Sequence, residues 1–320
     1  MDIALIRTFL EVAASGSFVN ASERLFVTQS AVSLRVNRLE ESLGKQLFTR
    51  SKAGAELTPA GREFERYALS LIKIWEEARQ QVGVPEGYTK SLSIGAQYSL
   101  WPRLGFRWID RMQADMPTLN IRAELGMPDR IMRFMVEGIV QIGLMYSPQL
   151  RPGLSAHKVL DEELVLAASW PARFDEIADR YVFVDWGPEF VQAHALALPN
   201  LTNPGLTMSL GALAADYVLS RRAAAFLPAR YIKRYLDTGA LHLVPDAPVF
   251  PFPVWSIWRD DLEDDIRSVA EASLVAVRSQ IDADQTAVIA ELTDISANER
   301  VEVLGESGEV LRHEQNSLHT

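Results

Sequence analysis

The sequence predicts an α/β protein with an N-terminal winged helix-turn-helix, followed by an α/β region of two subdomains. Residues 20–61 contain two short helical patterns around a tight turn, and then two strand-like segments. From residue 91 to about residue 281, strand-like and helix-like segments alternate, which is typical of α/β folds. With 320 residues, 48% hydrophobic and 23% charged, the chain is long enough for two or three folded domains and unlike a disordered protein.

Residues 20–44 predict the helix-turn-helix. Apolar residues recur at helical spacing in two short runs, and residues 26–28 between them leave room only for a tight turn. Thr28 is suited to cap the second helix, and Gly44 is suited to end it. A second helix of this kind can enter the major groove of DNA.

The second helix has an apolar face and a polar face. Its polar side chains are of types that read base edges or bind phosphates, namely Gln29, Ser30, Ser33, Arg35 and Arg38. An ordinary amphipathic surface helix would show a similar division, so this pattern leaves that alternative open. The next segment favours DNA binding, because residues 47–57 predict two short strands around a tip that Arg50 and Lys52 flank. We expect these two cations to meet the sugar-phosphate backbone.

Several motifs between residues 2 and 65 together resemble the LysR-type transcriptional regulators. They are Phe9 in the first helix, Ser15-Gly-Ser-Phe18, Ala21-Ser-Glu-Arg-Leu25, Thr28-Gln-Ser-Ala-Val-Ser33, Leu39-Glu-Glu-Ser-Leu-Gly44, Leu47-Phe-Thr-Arg50 and Leu57-Thr-Pro-Ala-Gly61. The resemblance implies a winged helix-turn-helix, a long dimerising helix and a ligand-sensing domain with the fold of periplasmic binding proteins. Thr28 and Leu34 lie in the matched segment and complete the DNA-binding candidates.

The chain departs from the family pattern at two positions of the second helix. Ser30 stands where the family often has proline, and Leu34 stands where a polar or basic residue is common. The resemblance therefore leaves open which base contact position 34 makes.

The net charge of −10 argues against indiscriminate binding of nucleic acid, because an acidic protein is repelled by DNA at long range. Residues 1–66 hold nine Lys/Arg against eight Asp/Glu, so the acidic excess lies in the rest of the chain. This distribution fits a sequence-specific binder of double-stranded DNA.

Residues 59–84 predict one long helix. Thr58 is suited to cap it, and Pro59 fits its first turn. Apolar residues recur in alternating steps of three and four, the spacing of a coiled-coil seam, at Phe64, Tyr67, Leu71, Ile74 and Ala78. We expect this seam to form a homodimer; packing of the helix on its own domain is the alternative. Residues 83–87 then predict a hinge.

The remaining pattern predicts the domain limits. Residues 1–58 form the DNA-binding domain, 59–87 the dimerisation helix and hinge, and 88–283 the effector-binding domain. That domain divides into subdomain I (88–160 and 251–283) and subdomain II (161–250), with a cleft between them. A helix is predicted over residues 262–281. Residues 284–320 are a C-terminal extension, for which a hairpin at 300–311 and a flexible tail remain alternatives.

Ligands of open α/β sheets bind beyond the carboxyl ends of the strands, where helices begin. This rule selects candidate effector-binding residues in the predicted strand-to-helix turns: Gln97, Tyr98, Ser99, Leu100, Trp101, Met127, Met145, Trp186 and Ser209. Helix capping and packing are the alternative roles for each of them. Aromatic residues and methionines among them, with carboxylates nearby, indicate a small-molecule effector that has an apolar body and one polar or anionic end.

The sequence lacks the motifs of common enzymes and cofactor sites. It has no cysteine, no GxSxG, no glycine-rich phosphate loop and no HExxH, and its five histidines are scattered. We expect no enzyme activity, no cofactor and no metal site. No signal peptide or apolar run of membrane-spanning length is present, so we expect a cytoplasmic protein without a membrane partner.

The predicted function is that of a transcriptional regulator, acting as a homodimer or homotetramer, whose promoter output responds to a small molecule. RNA polymerase is a candidate further partner. The alternative is a ligand-independent DNA-architectural or silencing protein that uses the same helix-turn-helix.

Overall fold

The computed structural model describes residues 2–51, 54–202 and 204–298. The predicted fold class is confirmed, since a winged helix-turn-helix precedes a mixed α/β region. The described helices are α1 (Ile3–Ser15), α2 (Phe18–Arg24), α3 (Gln29–Leu43), α4 (Pro59–Val82), α5 (Phe106–Asp115), α6 (Pro128–Val136), α7 (Pro188–Ala197), α8 (Ala214–Leu219), α9 (Ala229–Leu236) and α10 (Asp264–Asn298). The described strands are β1 (Phe48–Ser51), β2 (Gly54–Leu57), β3 (Lys90–Ala96), β4 (Leu119–Leu125), β5 (Ile142–Met145), β6 (Leu154–Leu160), β7 (Glu163–Ala168), β8 (Phe183–Val184), β9 (Thr207–Met208), β10 (Ala224–Pro228), β11 (His242–Leu243), β12 (Phe250–Pro251) and β13 (Val254–Arg259).

Helices α1–α3 and the β1–β2 hairpin share one apolar core. Its buried residues include Ile6, Phe9, Val12, Phe18, Ala21, Val32, Val36, Leu39, Leu47 and Phe48. The predicted caps of α3 are confirmed: the Thr28 hydroxyl accepts the Ala31 N–H at 3.2 Å, and Gly44 ends the helix in the left-handed conformation. Strands β1 and β2 pair antiparallel, as the wing pattern predicted.

Helix α4 packs on this core along one side. Thr58 caps it through the Gly61 N–H at 3.0 Å, with Pro59 in the first turn, as predicted. Ala68 and Ile72 are buried on the core side, and Glu76 forms an ion pair with Arg7 of α1. Since Glu76 is itself buried, this ion pair fixes where α4 lies against α1.

The α/β region contains two main sheets. In the first, the strand order is β4-β3-β5-β13-β6, and β3 pairs parallel with both β4 and β5. In the second, β7 pairs antiparallel with β10, β11 and β12. The chain leaves the first sheet between β6 and β7 and returns between β12 and β13. A short parallel pair, β8–β9, completes the described strands.

The chain divides into two compact units. The first unit comprises the described residues up to Gln97, together with Met112–Ala156 and Ser256–Ala270. The second unit comprises Tyr98–Arg111, His157–Trp255 and the described residues from Glu271 onward. The domain limits given by the sequence pattern remain predictions.

Two connections in the α/β region have an irregular form. Between β3 and α5 lie a 3-10 turn (Tyr98–Leu100) and one wider turn of π-helix (Trp101–Gly105). A Cβ on Gly105 would lie 2.4 Å from the Trp101 ring, so the indole packs directly over this turn. Strands β6 and β7 are separated only by residues 161–162, where the chain changes sheets.

The C-terminal helix is longer than predicted. Its expected end at Ile281 is wrong because α10 continues to Asn298, so residues 284–298 are helical and do not form a flexible tail. Ile281, Val288 and Leu292 are buried at helical spacing, which gives this extension a packing face. The hairpin predicted at residues 300–311 lies outside the described residues.

Candidate functional site

The predicted recognition helix, α3, turns one face to the core and the other to solvent. Val32, Val36 and Leu39 are fully buried. Among the DNA-binding candidates, the exposed ones are Thr28, Gln29, Ser30, Leu34 and Arg38, and the half-buried ones are Ser33 and Arg35. The Arg35 guanidinium donates to the Thr8 hydroxyl at 3.4 Å, which ties this arginine to α1. All seven candidates, six in α3 and Thr28 at its N-cap, therefore remain at least partly accessible to solvent.

The turn that precedes α3 carries a feature that sequence reasoning missed. Phe26 has a positive φ of 54° and is 94% exposed. An exposed aromatic residue in a left-handed conformation is strained, and such strain is often held at functional positions. The Val27 N–H donates to the Ser22 carbonyl at 3.0 Å and closes the turn.

The wing contacts α3 through Arg50. Its guanidinium donates to the Asn37 side chain at 3.0 Å and lies 4.1 Å from the centre of the Phe18 ring. The Arg50 side chain is exposed yet held in place, so its charge has a defined position beside α3. Lys52, the other predicted wing contact, lies outside the described residues. Asn37 was missed although its place on α3, one turn after Ser33, could have indicated it.

The predicted dimer seam of α4 is divided between two environments. Phe64 packs edge to face on Phe9 at 5.0 Å, and Leu71 packs against the same core. Tyr67, Ile74 and Ala78 are exposed. Trp75 and Val82 of α4 are also exposed. The alternative of packing on its own domain therefore describes part of the helix, and an apolar strip remains on the outside.

The C-terminal half of α4 is bonded to the sheet region of the first unit. The Gln80 amide donates to the Gly138 and Ile139 carbonyls, both at 3.1 Å. Asp261 forms ion pairs with Arg259 and with Lys73 of α4. Hydrogen bonds from these two cations lower the pKa of Asp261 below its usual value. A buried amide and a paired charge thus join α4 to β13 and the turn after α6.

Three predicted effector residues belong to the first unit. The Gln97 side chain accepts the Tyr146 N–H at 2.9 Å, so it bridges the ends of β3 and β5. Met145 is fully buried, and Met127 is exposed in front of α6. As predicted, these residues lie where strands end or helices begin, but the structure gives them unequal access to solvent.

Six predicted effector residues belong to the second unit. Ser99, Leu100 and Trp101 are buried, while Tyr98 and Ser209 are exposed. The indole N–H of Trp186 donates to the Phe226 carbonyl at 2.9 Å, and its ring meets Phe252 at 5.4 Å. The only hydrogen-bond donor of the Trp186 side chain is therefore used within the fold, and its ring is engaged in packing.

Helix α9 adds residues that the sequence reasoning did not select. The Tyr231 ring lies 6.5 Å from that of Tyr98. The Arg234 guanidinium donates to the hydroxyls of Tyr231, at 3.3 Å, and Tyr235, at 2.6 Å, and lies over both rings. Burial raises the pKa of Tyr231, so this hydroxyl stays protonated. The signal available in the sequence was the spacing of Arg234 and Tyr235, which follow Tyr231 by three and four residues on one helix.

Two buried polar pairs stabilise the second unit. Glu162 forms an ion pair with Arg230 and also accepts the Arg230 backbone N–H at 3.1 Å. The Tyr181 hydroxyl meets the His194 ring nitrogen Nε2 at 2.8 Å within a cluster of phenylalanines. Burial lowers the pKa of His194 and raises that of Tyr181. These pairs lie inside the fold and position α9 and α7.

Within the part of the chain that the structure describes, no group of three or more His, Asp or Glu side chains is arranged to hold a metal ion. No helix of this part has both the length and the apolar character needed to cross a membrane.

Known solved structures share this fold. ArgP from Mycobacterium tuberculosis matches with a TM-score of 0.51 and 20% identity, over 87% of this chain and 98% of ArgP. Full-length LysG from Corynebacterium glutamicum, solved with bound effector Arg, matches with a TM-score of 0.51 and 17% identity, over 88% of this chain and 99% of LysG.

Sequence comparisons identify the family. Residues 3–62 match the family described as "Bacterial regulatory helix-turn-helix protein, lysR family", and residues 85–272 match the "LysR substrate binding domain". The HTH-type transcriptional regulator HdfR of Yersinia enterocolitica is 30% identical over 269 residues, covering 81% of this chain and 90% of HdfR. HdfR of Salmonella schwarzengrund is 31% identical over 261 residues, covering 81% and 92%. With both family regions matched in order, the chain belongs to the LysR family of transcriptional regulators, which are DNA-binding proteins with an effector-binding domain rather than enzymes.

Proposed function

We propose that this regulator binds a two-fold DNA site by inserting α3 into the major groove, with Arg50 of the wing on the adjoining phosphates. The observation that carries the proposal is the exposed polar surface of α3 beside a held arginine. Ser30 and Arg38 are both exposed on that surface, and their eight-residue spacing places them about 80° apart around the helix. Arg50 is oriented next to it by Asn37. Arginine and serine at such positions can bind base edges and phosphates.

The base-reading role is tested by Ser33→Ala and Arg35→Ala. Each variant is expected to bind the DNA upstream of its own gene several-fold more weakly, since a good base contact contributes about 1–3 kcal/mol. Ser42→Ala is the matched control for Ser33→Ala, because Ser42 lies nine residues after Ser33 on the same helix and about 180° around it. Gel-shift titration at one fixed salt concentration measures the effect. Unchanged affinity in both variants would contradict this placement of α3.

The oligomer is proposed to form through the outer strip of α4, consisting of Tyr67, Ile74, Trp75 and Val82. These exposed apolar side chains lie on a 24-residue helix whose other side already packs on its own core. Ile74→Glu is expected to shift the sedimentation coefficient toward that of a monomer, because a charge would be buried in the interface. Arg66→Glu is the control, since Arg66 is exposed on the same helix but lies outside the strip. An unaltered oligomer in Ile74→Glu would refute the strip as the interface; both dimers and tetramers are compatible with it.

The effector is proposed to be a small molecule with an apolar body and one polar or anionic end, bound beside Tyr98 in the second unit. The exposed ring of Tyr98 supplies an aromatic surface near Tyr231, and Arg234 supplies a cation on the next turn of α9. LysG was solved with Arg as its effector, so that relative of similar fold also takes a small molecule. A DNA-binding regulator of this kind would act in the cytoplasm, with RNA polymerase as its partner at the promoter.

Thermal unfolding against a panel of metabolites tests the effector proposal. A true effector at 100 times its Kd stabilises the protein by about 2.7 kcal/mol. The stabilisation is expected to fall in Tyr98→Ala or Arg234→Gln but to persist in Arg222→Gln, a control arginine in the same unit. If no compound stabilises the protein, a ligand-independent architectural role is favoured instead.

A further inference from the structure

Leu34 is the one large apolar side chain among the exposed candidates of α3. It is 52% exposed. A helix turns about 100° per residue, so Leu34 lies about 140–160° around α3 from the buried Val32, Val36 and Leu39. It therefore lies at the summit of α3, by which we mean the middle of its exposed face, directly opposite the side that packs on the core of its own domain.

The surroundings of Leu34 are polar and basic. Ser30 and Arg38, four residues before and after it, are exposed, and Asn37 on the next row holds Arg50. A protein-binding surface would show a contiguous apolar patch, whereas here a single leucine stands between a hydroxyl, an amide and two cations. This arrangement suits a polyanion that presents an isolated apolar group.

The apolar group that a base pair can present in the major groove of DNA is the C5-methyl group of a pyrimidine. The other edge groups there are hydrogen-bond donors and acceptors, which a leucine can only desolvate without compensation. In unmodified DNA the C5-methyl group belongs to thymine; in methylated DNA 5-methylcytosine presents the same group at the same place.

We propose that Leu34 is a specificity-determining residue that packs on the C5-methyl group of a pyrimidine in each half of the operator. The inference rests on the proposed insertion of α3 into the major groove. It assigns to position 34 a contact by apolar burial, in a row whose other members bind through hydrogen bonds and charge.

The test begins with the full-length protein and the DNA upstream of its own gene. Footprinting defines the protected duplex, and each thymine in it is then replaced singly by uracil, which removes only the methyl group. For the unaltered protein, affinity is expected to fall about fourfold at one thymine per half-site, the effect of one buried methyl group. Leu34→Ala should lose this sensitivity, and Leu34→Met, which keeps an apolar side chain, should retain it.

Leu43→Ala is the matched control. Leu43 is 40% exposed, lies on the same helix and is about 180° from Leu34, so its variant should keep the uracil response of the unaltered protein. A second set of duplexes carries 5-methylcytosine at each cytosine. A loss with uracil assigns the contact to thymine, and a gain confined to 5-methylcytosine assigns it to the methylated base.

Two negative results are distinguishable. Specific binding with the same uracil and 5-methylcytosine profile for the unaltered protein and Leu34→Ala overturns the role of Leu34 alone. No preference of the unaltered protein for its upstream DNA over a scrambled duplex overturns the proposed function as well.

Discussion

Replacing Gly61 by alanine should push the wing away from α4 and lower the free energy of unfolding. Gly61 is buried in the first turn of α4, where an added Cβ would lie 2.1 Å from the Leu47 carbonyl oxygen and 3.0 Å from the Leu57 side chain. The nearest atom is backbone, so it cannot turn aside as a side chain could. Relief requires a shift of roughly 1 Å or more, because non-bonded carbon contacts are optimal at about 3.5–4.0 Å.

The size of the effect follows from three contributions. Overpacking of this kind costs about 1–3 kcal/mol. The Leu47 carbonyl also accepts the Thr58 N–H at 2.9 Å, and displacing it weakens a hydrogen bond that contributes about 1 kcal/mol. Alanine in place of glycine returns up to about 1 kcal/mol of helix propensity. The net expectation for Gly61→Ala is a loss of about 1–3 kcal/mol in the free energy of unfolding.

Urea unfolding followed by circular dichroism measures this loss. Gly205→Ala is the control, because no atom lies within 4 Å of a Cβ added there and its φ requires no glycine. That variant should stay within about 0.5 kcal/mol of the unaltered protein. If Gly61→Ala were as stable as the control, the close approach of α4 to the wing would not carry the energy assigned to it.

Three other properties can be measured on the same protein. Glu162→Gln should lower the free energy of unfolding by about 3–5 kcal/mol, since Arg230 is left buried without a counter-charge; a loss below 1 kcal/mol in urea unfolding would be inconsistent with that ion pair. The lowered pKa of His194 means that the unfolded chain takes up a proton more readily than the folded one, so stability should be complete above about pH 6.5 and decrease as the pH falls below it; urea midpoints independent of pH from about 7.5 to 5.5 would contradict this. Arg50→Ala should weaken binding to operator and scrambled DNA alike and reduce the slope of log K against log salt by about one. Asn37→Ala should cause a smaller change of the same kind, because it removes only the side chain that holds Arg50 in place. An unaltered slope in both variants would remove Arg50 from the phosphate contacts.

Local signals in the sequence predicted the N-terminal region well. Thr28 and Thr58 cap their helices, Gly44 ends α3, and the α/β alternation is found where it was expected. These features depend on residues within a few positions of one another, because caps, tight turns and helical periodicity are short-range. The family resemblance rested on the same short-range motifs.

Features that join distant segments were predicted less well. Position in a strand-to-helix turn could not tell that Trp186 is committed to packing on the Phe226 carbonyl while Tyr98 remains exposed. The two-residue strands β11 and β12 were missed, because alternation cannot be recognised over two residues. The length of α10 was underestimated because the residues that it buries after Ile281 are separated by polar ones, so its helical pattern is weak there. Most of the stability of such a helix comes from tertiary packing, which the sequence pattern does not show.

By itself, the sequence determined that the chain carries a winged helix-turn-helix, a long helix and an α/β region, since each is encoded by short-range spacing, and the resemblance to the LysR-type regulators added the effector-binding role. The tertiary structure alone decided which side chains meet: Arg50 with Asn37, Glu162 with Arg230, and Tyr98 with Tyr231. It also decided that Leu34 stands at the summit of α3. Such pairings depend on how separate helices and strands pack, and that arrangement is set by the sum of many weak contacts across the whole core.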